Sequence, residues 1–226
     1  MKTVVITGAS SGIGRHTAYQ FAKNNDSLVL TYHKDIDEIT KTKNHCMKLG
    51  AINVEVFQMD LSDDRQIEKF VLEIKNKKVE IDILINNAAT IIWKTIGQQT
   101  GKEIELQLRV NLEGTIKLTQ AFLPIIRSMI INIGSKMGKV TRPDLPVYCA
   151  SKFGLRGFTQ SLAQSQPHLS VYCVNPDLTA TKMTKYVGRA PEEIGRLIFK
   201  LATSTTKPSP GSDIDAWELL EAIPDI

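Results

Sequence analysis

Thr3-Val4-Val5-Ile6-Thr7-Gly8-Ala9-Ser10-Ser11-Gly12-Ile13-Gly14 is the stretch that decides the fold. A short β-branched run passes directly into a glycine-rich turn, and a segment of helical periodicity follows from Ile13 to Lys23. Glycines there allow a tight turn and close approach of the backbone, while the unpaired amides and dipole of a helix start favour a pyrophosphate. Such a turn is a weak signal by itself. Between the first strand and first helix of a parallel α/β pattern it points to a bound dinucleotide.

The rest of the chain supplies that pattern. Val-, Ile- and Leu-rich runs recur at Thr3 to Thr7, Leu28 to Tyr32, Val54 to Met59, Ile81 to Ile85, Met129 to Ile133 and Val171 to Val174. They are apolar throughout rather than alternating, as strands covered on both faces are. Helical periodicity fills the intervals Ile36 to Leu49, Asp64 to Asn76, Gly101 to Arg127, Tyr148 to Gln164 and Pro191 to Ala202. The expected fold is α/β: a doubly wound, Rossmann-like parallel sheet of six strands in three layers. A short acidic run from Ser212 to Ala216 would make a seventh. No composition shift or repeat divides residues 1–226, so one domain is expected to carry both nucleotide and catalytic sites.

Composition excludes other classes. The net charge of +4 is dispersed, and its densest cluster, Lys75 to Lys78, lies beside Glu73 and Glu80, as a solvated face does rather than a nucleic-acid site. Three cysteines without ligand spacing and scattered histidines support neither a disulfide framework nor a metal site. Gly8 and Ser10 interrupt the N-terminal apolar run too early for a secretion signal, and no stretch nears the ~18 apolar residues of a membrane span. A cytoplasmic protein is the expectation.

The spacing T-G-x-x-x-G-x-G of Thr7 to Gly14 resembles the short-chain dehydrogenase/reductase family and differs from the G-x-G-x-x-G of most other dinucleotide folds. That resemblance implies cofactor contacts from Thr7, Gly8, Ser10, Ser11, Gly12, Ile13 and Gly14. Asp60-Leu61, after the third strand, falls where relatives hold the adenine. Asn86-Asn87-Ala88-Ala89 resembles the family's N-N-A-G with Ala89 in place of glycine, which makes Asn87, Ala88 and Ala89 further contacts. At the end of the second strand, Tyr32 replaces the acid by which NAD-preferring relatives bind ribose. His33 and Lys34 could meet a 2′-phosphate, so NADP(H) is favoured, with NAD(H) as the alternative.

Tyr148 and Lys152 stand four apart at the start of a helix, one turn from each other on one face. A tyrosine of intrinsic pKa ~10 must fall by ~3 units, or ~4 kcal/mol, to act near neutral pH. An ammonium ~4 Å away at an effective dielectric of ~20 supplies about that much. Ser135 lies thirteen residues upstream at a strand end, and Asn111 lies in the long preceding helix. The set resembles the family's Asn-Ser-Tyr-Lys tetrad. It implies Tyr148 as general acid/base, Ser135 bonding the substrate oxygen, Lys152 lowering the tyrosine pKa and gripping ribose, and Asn111 binding a relay water.

Asn175-Pro176-Asp177-Leu178-Thr179-Ala180-Thr181 resembles the segment lining the nicotinamide, which implicates Pro176 and Thr181. Asp177 replaces a glycine there and, facing the ring, would favour the oxidised cofactor; otherwise it points to water. Only Lys185 to Ala190 separates this region from the next helix, so the expected pocket is comparatively open. The implied substrate is a small-molecule carbonyl or alcohol. Relatives commonly pair the helices containing Asn111 and Lys152 into homodimers or homotetramers, for which Leu106, Leu108, Leu118, Phe122, Phe158 and Leu162 supply apolar surface or else face the sheet. Ser135 lacks the G-x-S-x-G elbow of a serine hydrolase. A nucleotide-sensing protein without catalysis is the alternative from a different class.

Overall fold

The computed structural model describes residues 1–78 and 80–222. Seven strands, β1 (Thr3–Ile6), β2 (Ser27–Tyr32), β3 (Asn53–Gln58), β4 (Ile81–Asn86), β5 (Ile126–Ile133), β6 (Ser170–Asn175) and β7 (Asp213–Asp215), form one parallel sheet in the order β3-β2-β1-β4-β5-β6-β7. The order reverses direction at β1/β4. In open parallel sheets such a switch point opens a crevice beyond the strand ends, where ligands bind.

Both faces of the sheet are covered, which explains the unbroken apolar strands. On one face α1 (Gly12–Lys23), α2 (Ile36–Leu49) and α7 (Pro191–Thr203) bury Phe21, Ile39 and Ile198 against Val4, Ile6, Leu28 and Leu30. On the other, α3 (Asp64–Asn76) and α6 (Pro146–Ser165) bury Phe70, Ile74 and Leu162 against Val5, Leu84 and Ile130. A last helix, α8 (Ala216–Ala222), follows β7 without a loop and has no counterpart in the sequence reading.

The expected helix from Gly101 to Arg127 is the one that the structure breaks. It divides into α4 (Gly101–Leu108), a π-turn at Arg109–Glu113, α5 (Gly114–Phe122) and a 3-10 turn, Leu123–Ile125. Pro124 ends the α-helix by removing an amide donor, and the chain tightens into the 3-10 turn with Leu123 still helical in φ and ψ. Strand β5 therefore begins at Ile126, and Arg127 belongs to it. Helix α6 begins at Pro146, two residues before Tyr148, because proline fits the first helical position. Among the described residues, no helix is long and apolar enough to cross a membrane, and no cluster of three metal-ligating side chains forms.

Candidate active site

A cavity of about 700 Å³ occupies the crevice at the carboxyl ends of β1 and β4. Gly8, Ser10, Ser11, Gly12, Ile13, Tyr32, His33, Asp60, Leu61, Asn87, Ala88, Ala89, Ser135, Tyr148, Lys152, Pro176 and Thr181 all line it. Thr7, Gly14, Lys34 and Asn111 do not. Thr7 and Gly14 shape the turn instead. The Thr7 hydroxyl accepts from the Asn87 and Ala88 amides at 2.9 and 3.0 Å, and Asn87 Nδ2 donates to the Thr7 and Gly8 carbonyls at 2.8 and 3.1 Å. A Cβ on Gly14 would stand 2.5 Å from that Nδ2 and 2.6 Å from the Gly8 oxygen, so only glycine leaves room for this clasp.

Gly8 and Gly12 adopt φ of +66° and +54°, which turns the chain sharply into α1. The N-cap Ser11 makes no side-chain cap and the first turn holds no acid, so the leading amides of α1 stay available to an anion. A dinucleotide fits this cradle: the glycine turn for its pyrophosphate, and the strand ends on either side for its two nucleosides.

At the end of the cavity expected to take the adenine, the acid is already engaged. Asp60 accepts from the Ser62 amide and hydroxyl at 2.8 and 2.7 Å and pairs with His33 Nε2 at 3.1 Å. Burial opposes its charge, but the Ser62 hydrogen bonds and the His33 and Lys34 charges prevail and hold the carboxyl below its usual range. His33 is thus turned toward Asp60, while Lys34 stays exposed. Arg15, which the sequence reading passed over, is committed to Glu38 and the Ser10 carbonyl. Asp63 caps α3 by accepting from the Arg65 amide.

At the catalytic end Ser135, Tyr148 and Lys152 converge on one cavity. Tyr148 is buried beside Leu145 and Cys149, with Ile91 and Met137 packed against them. Without a counter-charge this burial pushes its phenol up to about 12, opposed in part by a hydrogen bond with Ser135. Lys152, 2% exposed, donates to the Ile133 carbonyl at 2.8 Å, and its Nζ stands 5.7 Å from the Tyr148 ring centroid. Burial brings the Lys152 ammonium down to about 8. Desolvation thus outweighs every opposing contribution at the phenol, the reverse of the fall expected from Lys152.

Asn111 and Asp177 each have partners that their sequence surroundings do not announce. Asn111 sits in the π-turn, where its Oδ1 accepts from the Thr90 amide at 2.7 Å and its Nδ2 donates to the Thr90 carbonyl and Ser151 Oγ at 2.8 and 3.1 Å. Both amide hydrogens are taken, so the side chain clamps the wall that follows Ala89. The wider coil of the π-turn directs this asparagine inward. Asp177 lines the cavity with its side chain 24% exposed, but its carboxylate is already engaged. It binds Arg189 through two contacts of 3.2 and 3.4 Å, a partner that nothing in the local sequence singles out. That pair, with the Ala180–Arg189 and Arg189–Leu178 backbone bonds, ties the short loop into a compact rim. Across the mouth Trp93 Nε1 donates to the Met183 carbonyl at 3.2 Å, and Arg142 stands over the indole at 5.7 Å.

The glycine turn at the switch point of a doubly wound sheet, with a serine, tyrosine and lysine gathered at the far end of its crevice, defines a Rossmann-type dinucleotide-binding α/β protein. The chain matches the short chain dehydrogenase family over residues 2–192 and belongs to it. It is 33% identical over 215 residues to 17-beta-hydroxysteroid dehydrogenase 13 of Mus musculus, covering 88% of this chain and 69% of that one. Estradiol 17-beta-dehydrogenase 11 of Rattus norvegicus is 37% identical over 165 residues, covering 70% of this chain and 54% of its own. The chain thus spans between about half and about two thirds of the length of these relatives. A short chain dehydrogenase from Burkholderia cenocepacia, solved in complex with NADP, superposes with a TM-score of 0.87 at 23% identity, covering 95% of each chain. An oxidoreductase from E. coli gives a TM-score of 0.88 at 25% identity, covering 95% of this chain and 94% of its own.

Proposed function

We propose that this protein is an NAD(P)-dependent oxidoreductase acting on a carbonyl or alcohol. The observation that carries the reading is the convergence of Ser135, Tyr148 and Lys152 on the same cavity as the glycine turn. When bound, the nicotinamide supplies or takes up the hydride. Tyr148 Oη gives a proton to the substrate oxygen in reduction and removes it in oxidation. Ser135 Oγ donates a hydrogen bond to that oxygen as charge develops on it. Lys152 Nζ would hold ribose hydroxyls and favour the phenolate once cofactor is bound, and Asn111 fixes the Thr90 backbone. Thr181, Pro176 and Ala89 frame the cofactor's reactive end.

Beyond the tyrosine the cavity wall is apolar, with Ile91, Trp93, Met137, Leu145, Leu178 and Met183. That lining suits a substrate with a bulky apolar body, in keeping with relatives named for hydroxysteroids. Oxidation of NADPH followed at 340 nm against aromatic and alicyclic ketones, aldehydes and quinones tests the proposal. Cofactor binding without turnover of any of them would instead support a silent sensor, which the high phenol pKa of the cofactor-free site favours.

NADP(H) is the proposed cofactor. Tyr32 leaves no acid for ribose and Lys34 is exposed beside it, although His33 is partly neutralised by Asp60. Lys34→Glu is expected to raise the Kd for NADPH by about tenfold, the value of one lost phosphate contact of ~1.5 kcal/mol, and to change that for NADH less than twofold. Fluorescence titration of both cofactors decides it; equal losses would remove Lys34 from cofactor choice. A homodimer or homotetramer through α4 and α6 is proposed with a reduced set of contacts. Leu118, Phe122 and Leu162 face the core, whereas Leu106, Leu108 and Phe153 are exposed.

A further inference from the structure

Strand β7 carries two acids, Asp213 and Asp215, which the alternation of a strand places on one side. Their side chains are only 12% and 9% exposed, an unusual place for a pair of carboxylates at a sheet edge. Each is answered from a segment that carries the proposed chemistry. Asp215 pairs with Lys139, four residues after Ser135, and Asp213 accepts from Arg156 Nε at 2.7 Å, one helical turn after Lys152. Lys139 also reaches Asp213 at 3.6 Å. Between the acids, Asn175 Nδ2 donates to Asp215 at 2.9 Å and approaches Asp213 at 3.5 Å; this residue immediately precedes Pro176. Two cations and two anions make the cluster neutral, so it can be dehydrated without leaving a charge unmatched.

The Ser135 turn depends on that cluster on one side only. Its leading side is fixed to β6 by backbone bonds from the Gly134 amide to Val174 and the Lys136 amide to Pro176, at 2.7 and 2.8 Å. A Cβ at Gly134 would stand 2.2 Å from Asn175 Oδ1, so this side is also closely packed. Its trailing side, Gly138 to Val140, makes backbone bonds only within the turn, to Ser135 and Lys136. Gly138 packs on the α6 backbone, where a Cβ would stand 3.0 Å from the Lys152 oxygen, and Lys136 stands 5.1 Å over the Trp217 ring of α8, but the link to the sheet itself is the Lys139 ion pairs.

We propose that Asp213 and Asp215 are positioning residues: through Lys139 and Arg156 they hold the Ser135 turn in register with the helix bearing Tyr148 and Lys152. The inference rests on the oxidoreductase reading for its effect on rate. A misplacement of about 1 Å at such a site costs about 100-fold, so a modest loosening of the turn is measurable.

Lys139→Met and Asp215→Asn test it, with Lys139→Arg as the conservative variant and with NADPH and a carbonyl that the native protein reduces. Expected are a kcat at least tenfold lower, a KM for NADPH within twofold, and amide hydrogen exchange at least tenfold faster across residues 135–140 but unchanged in β1 and β4. Lys139→Arg should restore kcat to within threefold of the native value. Unchanged exchange at 135–140 overturns the proposal, as does a loosened turn with undiminished kcat, or a uniform rise in exchange that marks general destabilisation. Should the native protein turn over no carbonyl, the oxidoreductase reading fails separately, and the exchange of residues 135–140 alone decides whether the tether exists.

Discussion

Replacement of Tyr148 by phenylalanine is expected to lower kcat for carbonyl reduction about 1,000-fold while leaving the Kd for NADPH within about twofold. General acid/base catalysis by one positioned side chain supplies roughly 10² to 10⁴ in rate, and the site offers no substitute donor of the right kind. Ser135 is a far weaker acid than a phenol, and Lys152 is held by the Ile133 carbonyl. Stability should hardly change. The lost hydroxyl sits among Leu145, Ile91 and Met137, and Ser135, its partner, retains the Met137 amide. The desolvation that drives the phenol up to about 12 penalises only the phenolate, which neither the folded nor the unfolded chain carries near pH 7, so it does not enter the balance there. Steady-state kinetics with thermal unfolding check both parts. A variant keeping more than a tenth of native kcat would show that another group moves the proton.

Much of this architecture was legible because the relevant signals are local. The apolar strands report burial on both faces, and the glycine turn reports a backbone that must pass close to Asn87 and Ala88. Tyr148 and Lys152 share a helix, so their spacing alone predicts that they share a face. What escaped the sequence was set by tertiary contacts. Asn111 was picked out by the resemblance, but periodicity does not reveal that the helix opens into a π-turn there. Asp177 could be flagged as a departure from glycine, but its destination depends on Arg189, twelve residues on and brought back by the loop. The acids of β7 make sense only beside Lys139 and Arg156 from two other segments.

The electrostatics also went further than spacing could. Coulomb attraction at ~4 Å is worth roughly 4 kcal/mol at moderate dielectric, which suggested that lysine would acidify the phenol. In the folded chain both groups are nearly dry, and desolvation moves each toward its neutral form: the phenol up, the ammonium down. A cleft holding a neutral phenol and a readily deprotonated lysine is poised rather than active. A dinucleotide held as proposed would bring hydroxyls to Lys152 and, in the oxidised form, positive charge near Tyr148, and would so favour charging the pair.

Substitution of Lys152 by methionine should accordingly have effects of opposite sign on activity and on stability. Activity should fall about 100- to 1,000-fold near pH 7, because the proton-transferring phenol loses its nearest positive charge and the cofactor ribose its donor. Stability of the cofactor-free protein should rise. The folded-state pKa of about 8 lies below the ordinary 10.5, so below pH 8 both folded and unfolded chains carry the ammonium and the fold bears its burial cost. That cost is on the order of 3 kcal/mol. Between pH 8 and 10.5 the unfolded chain binds the extra proton, native stability climbs with pH, and the cost is gone above that range. Methionine removes it at every pH but leaves the Ile133 carbonyl without its donor, a loss of roughly 1 to 3 kcal/mol. The variant should melt about 2 °C above the native protein at pH 7, a net gain of ~1 kcal/mol, and below it by pH 10.5. Calorimetry without cofactor across this range measures the crossing. A variant less stable than the native protein at pH 7 would mean that Lys152 is not held at a cost, and that the poised cleft is no more than a packed one.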